Sequence, residues 1–160
     1  MADHKMNLDL VQEMVTNYKT KQYQSIIDSK TNPMVFDAQS IWFSLDSLQD
    51  FLNTIVAEVA KHPQYGLSDF GVRFYYSAYP EATTWNEPGH EDISDLNPAY
   101  AKLHTLIGIP TAKINGVDSD FDPCNTKTYN GTKPSSVGCL ITAENHGKLI
   151  PPESASGTWF

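Results

Sequence analysis

The sequence has few positively charged residues, and they are not clustered. Its 160 residues carry 11 lysines and arginines against 19 aspartates and glutamates, a formal net charge of −8. Arg73 is the only arginine, and the lysines form no basic run. Proteins that bind nucleic acids or anionic membranes cluster lysine and arginine to neutralise phosphates. We therefore expect no nucleic-acid or membrane partner, and a basic protein partner, or simple solubility, fits the charge better.

Long apolar runs and catalytic signatures are also missing. No stretch approaches the ~20 apolar residues of a membrane-spanning helix, and the first residues lack a secretion signal, which predicts a cytoplasmic protein. Two cysteines, Cys124 and Cys139, are then expected to be thiols, and whether they pair stays open. Because no nucleophile elbow, phosphate-binding loop or dinucleotide fingerprint is present, the sequence names no reaction and no cofactor. Whether the protein is an enzyme is left open.

The stretch from Gln39 to His62 indicates the fold class. Ile41–Phe43 has the β-branched and aromatic character of a strand, and Ser44 suits a helix N-cap. From Leu45 to Ala60, apolar residues recur at helical spacing over about half the circumference. This pattern predicts a central helix whose apolar side faces a core and has no other role. A first helix is predicted from the cap at Asn7 to about Lys19, or a turn or two further through Ile27.

The segment Gly71–Pro80 has the strongest strand pattern. Its period of two predicts a core face and an exposed face. The core face holds Val72, Phe74, Tyr76 and Ala78, and the exposed face holds Arg73, Tyr75, Ser77 and Tyr79. Leu103–Thr111 is predicted to pair antiparallel with this strand, and Val137–Thr142 to form a last strand. Long polar loops, with acidic and mobile character, are predicted at Glu81–Pro98 and Val117–Gly138.

Together these elements predict one α+β domain over residues 1–160. An antiparallel sheet of three to five strands packs against the central amphipathic helix, with the N-terminal helix beside it. The apolar fraction of 40% supports a folded, soluble chain.

The exposed face of the Arg73 strand is the first candidate site. A single arginine between Tyr75 and Tyr79 could hold a carboxylate bidentately, with the rings as walls. That carboxylate could belong to a ligand, to a partner or to the protein's own acidic loops. The 19 acidic residues favour the last of these.

Other polar groups give less specific patterns. Asp118, Asp120 and Asp122 alternate as in the first half of a calcium loop. Pro123 and Tyr129 stand where that loop needs glycine and glutamate, so a solvated acidic turn is favoured over a metal site. Cys124 could act as a nucleophile with His104 or His146 as its base, although nothing in the sequence shows that they meet.

Four segments also carry a family resemblance: Ser40–Leu45, Gly71–Pro80, His104–Thr111 and Asn145–Pro152. With them, the chain resembles a group of small uncharacterised bacterial proteins over most of its length. The resemblance implies a bacterial cytoplasmic origin. It implies no activity, cofactor or catalytic residue.

Three functional hypotheses follow. The first is a binding or regulatory module that engages a protein or small ligand through an acidic or aromatic surface; a flat aromatic patch or a homodimer interface on the sheet would favour it. The second is an enzyme of unknown class, with a site between the long loops and the strand ends. Its polar candidates are Arg73, His104, His146 and Asp122. The third is a divalent-metal protein, which would need the carboxylates of Asp118–Asp122 to converge.

Overall fold

A computed structural model describes residues 5–30, 34–121 and 143–152. The chain divides into two compact units, Met1–Ile41 with Leu149–Phe160, and Trp42–Lys148. Helices and antiparallel sheets are both present, so the α+β class is confirmed. The single domain stays a prediction. Among the residues described, no helix combines the length and apolar character needed to cross a bilayer.

The first unit begins with a long helix. α1 (Leu8–Asn17), a π-helical turn (Tyr18–Gln22) and α2 (Tyr23–Ile27) follow one another without a break. Asn7 caps the helix, because its Oδ1 accepts a hydrogen bond of 2.8 Å from the backbone N–H of Asp9. The predicted cap and the longer predicted extent are both confirmed.

A two-stranded sheet pairs β1 (Ser40–Trp42) with β5 (Lys148–Ile150). The backbone N–H of Gln39 continues this pairing with a 2.8 Å bond to the carbonyl of Ile150. Leu149 is fully buried. The strand predicted at Ile41 is thus present, whereas β5 was not predicted. The predicted strand Val137–Thr142 and both cysteines lie outside the described residues.

In the second unit, α3 (Leu45–Val59) begins where the sequence predicts. Ser44 caps it by accepting a 3.0 Å hydrogen bond from the backbone N–H of Ser47. Phe51 and Ile55 are buried, as expected for a core-facing side. The apolar stripe is wider than the buried side, however, and three of its large members are exposed: Leu45, Leu52 and Val56. The prediction that the stripe serves the core alone is wrong for these three residues.

The main sheet has three antiparallel strands in the order β2 (Phe70–Ala78), β3 (His104–Ile114) and β4 (Val117–Asp120). The predicted pairing of the Arg73 strand with the next strand is confirmed, with Phe74 opposite Gly108. β4 falls where a loop was predicted, so that prediction is wrong. The reason is the two-residue turn at Asn115 and Gly116, whose φ angles of 52° and 81° suit a tight hairpin.

α3 packs on one face of this sheet. A methyl group at Gly108 would lie 3.1 Å from Phe74 Cε1 and 3.5 Å from Phe51 Cε1, so both rings lie over this glycine. Near the end of α3, the ring of Phe121 contacts His62 and Phe70, with centroid distances of 5.2 and 5.3 Å. Such edge-to-face contacts stabilise an apolar core beyond simple burial.

The segment between β2 and β3, predicted as a long mobile loop, has local structure, although most of its residues are exposed. It contains three short 3₁₀ turns, Ala82–Thr84, Glu91–Ile93 and Pro98–Tyr100. Trp85 and Tyr100 are buried, and both rings lie about 6 Å from that of Tyr79. The indole N–H of Trp85 donates to the carbonyl of Pro80 at 3.1 Å. Buried aromatic area, with its polar atoms satisfied locally, explains this order.

The β3–β4 turn gives a testable consequence. Alanine in place of Gly116 must adopt a positive φ that costs an L-residue ~1–2 kcal/mol. We expect Gly116→Ala to lower the free energy of unfolding by about that amount in urea titrations. Gly66→Ala is the control, because φ is −96° there and a methyl group would meet its nearest atoms at 3.7 Å. Equal effects of the two variants would contradict this account of the hairpin.

Candidate functional site

Arg73 and Tyr75, the first candidate pair, meet a carboxylate of the protein itself. Arg73 Nη1 donates to Asp120 Oδ1 at 2.5 Å, and Arg73 Nη2 donates to the carbonyl of Asp118 at 2.6 Å. The hydroxyl of Tyr75 donates to Asp120 Oδ2. Hydrogen bonding with Tyr75 and the negative charge of Asp120 raise the pKa of Arg73 above its ordinary value. Of the three sources considered for the carboxylate, the structure therefore shows the internal one.

This cluster also determines what Asp118 and Asp120 can do. The carboxylate of Asp120 bonds a guanidinium and a phenol, and the carbonyl of Asp118 bonds the same guanidinium. A divalent cation here would lie beside a positive charge, which is unfavourable at this distance. No group of three or more potential metal ligands occurs in the part of the chain that the structure describes. Asp122 lies outside it.

Tyr79 is separate from this cluster and is buried, with 4% of its surface exposed. Its predicted place on an exposed face is therefore wrong. Its hydroxyl lies 3.3 Å from both the carbonyl and Oδ1 of Asn145, and the Thr105 hydroxyl donates to the same Oδ1 at 2.9 Å. Burial raises the pKa of Tyr79, while its hydrogen bonds with Thr105 and Asn145 act in the opposite direction.

His104 and His146 adjoin this second cluster along the chain, since they neighbour Thr105 and Asn145. The side chain of His146 is largely exposed, with Nδ1 3.5 Å from Glu144 Oε1. Sequence reasoning did not single out Glu144, whose side chain is only 6% exposed. Its Oε2 accepts from the hydroxyl of Ser47 at 3.0 Å, and its Oε1 accepts from the backbone N–H of His146 at 2.8 Å. A buried carboxylate thus ties residues 144–146 to the first turn of α3.

Two large apolar side chains of β2 are exposed on the face that carries α3. Tyr76 is 92% exposed and Phe74 is 48% exposed, although both were predicted to face the core. Phe51 of α3 lies over Gly108 of β3, the partner of Phe74, whereas Tyr76 stays uncovered. An apolar strip on β2 therefore stays in contact with solvent in this chain.

One edge of β2 also has no neighbouring strand among the described residues. The backbone of Tyr79 forms hydrogen bonds with Lys102 and Leu103, so it points toward the chain that leads into β3. Gly108 lies opposite Phe74, and both of its backbone hydrogen bonds are made with Glu144, on the side of β3 away from β2. Backbone groups alternate in direction along an antiparallel strand. Val72, Phe74 and Tyr76 therefore point their N–H and C=O groups away from β3. Among the described residues, no strand pairs with that edge.

Comparison with known proteins gives no match to a family model, a curated protein or a solved structure. The geometry alone thus bears on function. It unites Arg73 and Tyr75 around Asp120, and leaves Tyr79 in a different, buried cluster. One sequence signal could have revealed the first cluster: the Asn-Gly pair at positions 115–116 is a strong hairpin marker, and it returns Asp120 to the sheet.

The link between Ser47 and Glu144 can be tested by mutation. Ser47→Ala removes a donor from a buried carboxylate, and we expect a loss of ~1–3 kcal/mol in unfolding free energy. Thr54→Ala in the same helix is the control, because its hydroxyl bonds only the exposed backbone carbonyl of Asp50. In the Glu144→Leu background, where no acceptor remains for the Ser47 hydroxyl, Ser47→Ala should cost clearly less. Additive effects of the two substitutions would show that the hydrogen bond does not contribute.

Proposed function

We propose that the protein is a protein-binding module that uses the open side of β2. Its contact surface, called here the β2–α3 surface, comprises Phe74 and Tyr76 of β2 with Leu52 and Val56 of α3. The observation that carries the proposal is the 92% exposure of Tyr76 on a strand whose outward backbone groups have no strand partner among the described residues. Contiguous exposed apolar groups of this kind mark interaction sites.

The edge lacks the features that keep exposed strands from pairing. Natural proteins protect such edges with lysine, proline, bulges or short strands. β2 has nine residues, no proline, no lysine and no acidic residue. Its single charge, on Arg73, is paired with Asp120. An edge of this length without protection supports addition of a partner strand by backbone hydrogen bonding.

The exposed part of α3 extends the surface. Ser47 reaches Glu144, which pairs with Gly108 on the side opposite Phe74. On a helix with 100° per residue, Leu52 and Val56 lie on the other side of Phe51 from Ser47. They therefore lie on the side of α3 nearer β2, where Phe74 and Tyr76 are exposed. We include these four residues in one proposed contact surface for that reason.

The two alternatives have less support. An enzyme using Arg73 would have to displace Asp120 from it, and the structure places Tyr79 in a separate, buried cluster. A metal site at Asp118 and Asp120 would compete with the same arginine. None of the four residues of the β2–α3 surface is charged, so the acidic surface of the first hypothesis does not form it.

Peptide selection tests the proposal. The protein is immobilised at a density too low for chains to meet, and a random peptide display library is passed over it. We expect enriched peptides that alternate apolar residues, as an added strand would. Their binding should be lost with Tyr76→Lys, because a charge then interrupts the apolar strip.

The matched control is Leu67→Lys, which adds the same charge at a residue that is 61% exposed and precedes β2. Binding should be retained in this variant. Peptides that bind both variants equally, or a selection without enrichment, would contradict the proposed function.

A further inference from the structure

We infer that the partner of the β2–α3 surface is a second copy of this chain, paired antiparallel along β2 about a twofold axis at Phe74. The inference rests on the proposed function and specifies its partner. Closed twofold dimers are the commonest soluble oligomers, and their interface must be complementary to itself. The β2–α3 surface meets that requirement in its register, its helix and its charge.

The register is complementary about the middle of the strand. Phe74 is the fifth of the nine residues of β2, so a twofold axis there pairs the strand over its full length. The outward backbone groups of Val72, Phe74 and Tyr76 would then meet the same groups of the copy. Phe74 faces Phe74, and Val72 faces Tyr76. Aromatic and β-branched cross-strand pairs of this kind are favourable.

The helix distinguishes a second copy from an isolated strand. Pairing about this axis forms a continuous six-stranded sheet with both α3 helices on the same face. The two β3 strands are then three strand spacings apart, roughly 14 Å, against a diameter of about 10–12 Å for a helix with its side chains. The exposed side chains of Leu52 and Val56 would thus approach those of the copy, with the Tyr76 rings beneath them. A single extended peptide would leave this helix side exposed.

The local charge permits the pairing despite the net charge of −8. On the opposite face of the sheet, Arg73 of one copy would face Tyr75 of the other, so the two arginines do not oppose each other. β2 has no acidic residue, and Asp120 offsets Arg73. The remaining repulsion acts between distant surface charges, which salt screens over about 8–10 Å. Association should therefore strengthen as salt is added.

Sedimentation equilibrium of the full chain tests the inference. We expect a dimer that dissociates on dilution within about 1–100 µM, and that is favoured by added salt. Tyr76→Lys should weaken association by about tenfold or more, with an unchanged circular dichroism spectrum, because Tyr76 is exposed. Leu67→Lys should associate like the native chain. A chain that is monomeric throughout, or an equally dimeric Tyr76→Lys variant, would overturn the inference.

Disulfide trapping tests the register, with Cys124 and Cys139 both replaced by serine. Phe74→Cys should form a covalent dimer on mild oxidation, because directly opposed residues have Cα atoms about 5.5 Å apart, within disulfide range. Val72→Cys is the control, since the two copies of residue 72 would lie about 14 Å apart, four residues along the strand and one strand spacing across it. Equal trapping of both variants, or trapping of Val72→Cys alone, would overturn the register.

These outcomes are independent of the peptide selection. A monomeric chain that still selects peptides dependent on Tyr76 would retain the proposed function and overturn the second copy as partner. A monomeric chain that selects none would overturn both.

Discussion

The antiparallel pairing of β2 with β3 is the constraint on which the second unit depends. Nine residue pairs, from Phe70 with Ala112 to Ala78 with His104, fix which side chains share a face. One face places Phe74 over Gly108 and beneath Phe51, so α3 has a position to pack. The other face aligns Arg73 and Tyr75 with Asp120 of β4. A shift of one residue would exchange both sets and lose both arrangements.

The polar and apolar groups of this unit differ in how they are satisfied. Arg73, Tyr75 and Asp120 bond one another, and Glu144 bonds Ser47 and the backbone of His146. Buried side-chain polar atoms without a hydrogen-bond partner are absent from the described part of the chain. By contrast, Phe74, Tyr76 and the outward backbone of β2 remain open. Another protein chain could bury this exposed apolar surface and form hydrogen bonds with the unpaired strand edge. For that reason we favour binding over catalysis.

Local sequence signals predicted much of the fold. The caps at Asn7 and Ser44, the extent of both helices and the pairing of β2 with β3 depend on nearby residues and short connections, so pattern and chemistry sufficed. The period of two in β2 grouped Phe74 with Tyr76 and Arg73 with Tyr75 correctly, although Tyr79 is buried and does not lie on an exposed face. It could not say how much of each face a helix covers, since that depends on where α3 lies across the sheet. Tyr76 was therefore assigned to the core, although it is exposed.

The candidate site was predicted only in part, for a related reason. That Arg73 would find an internal carboxylate followed from composition, but identifying Asp120 required the hairpin at Asn115 and Gly116. Glu144 carries no sequence signal, because its partner Ser47 is 97 residues away. The order of the segment between β2 and β3 depends on the packing of Trp85 and Tyr100 against Tyr79. Such non-local contacts are not visible in periodicity or spacing.

Residue-resolved amide hydrogen exchange in β2 tests the central claim most directly, because each amide of the strand points either to β3 or to the open edge. If the edge is occupied by a second copy, the amides of Phe74 and Tyr76 should be protected at high protein concentration. They should then lose that protection on dilution, while those of Arg73 and Tyr75 stay protected throughout. Strict alternation at every concentration, with the outward amides always exchanging rapidly, would contradict the claim.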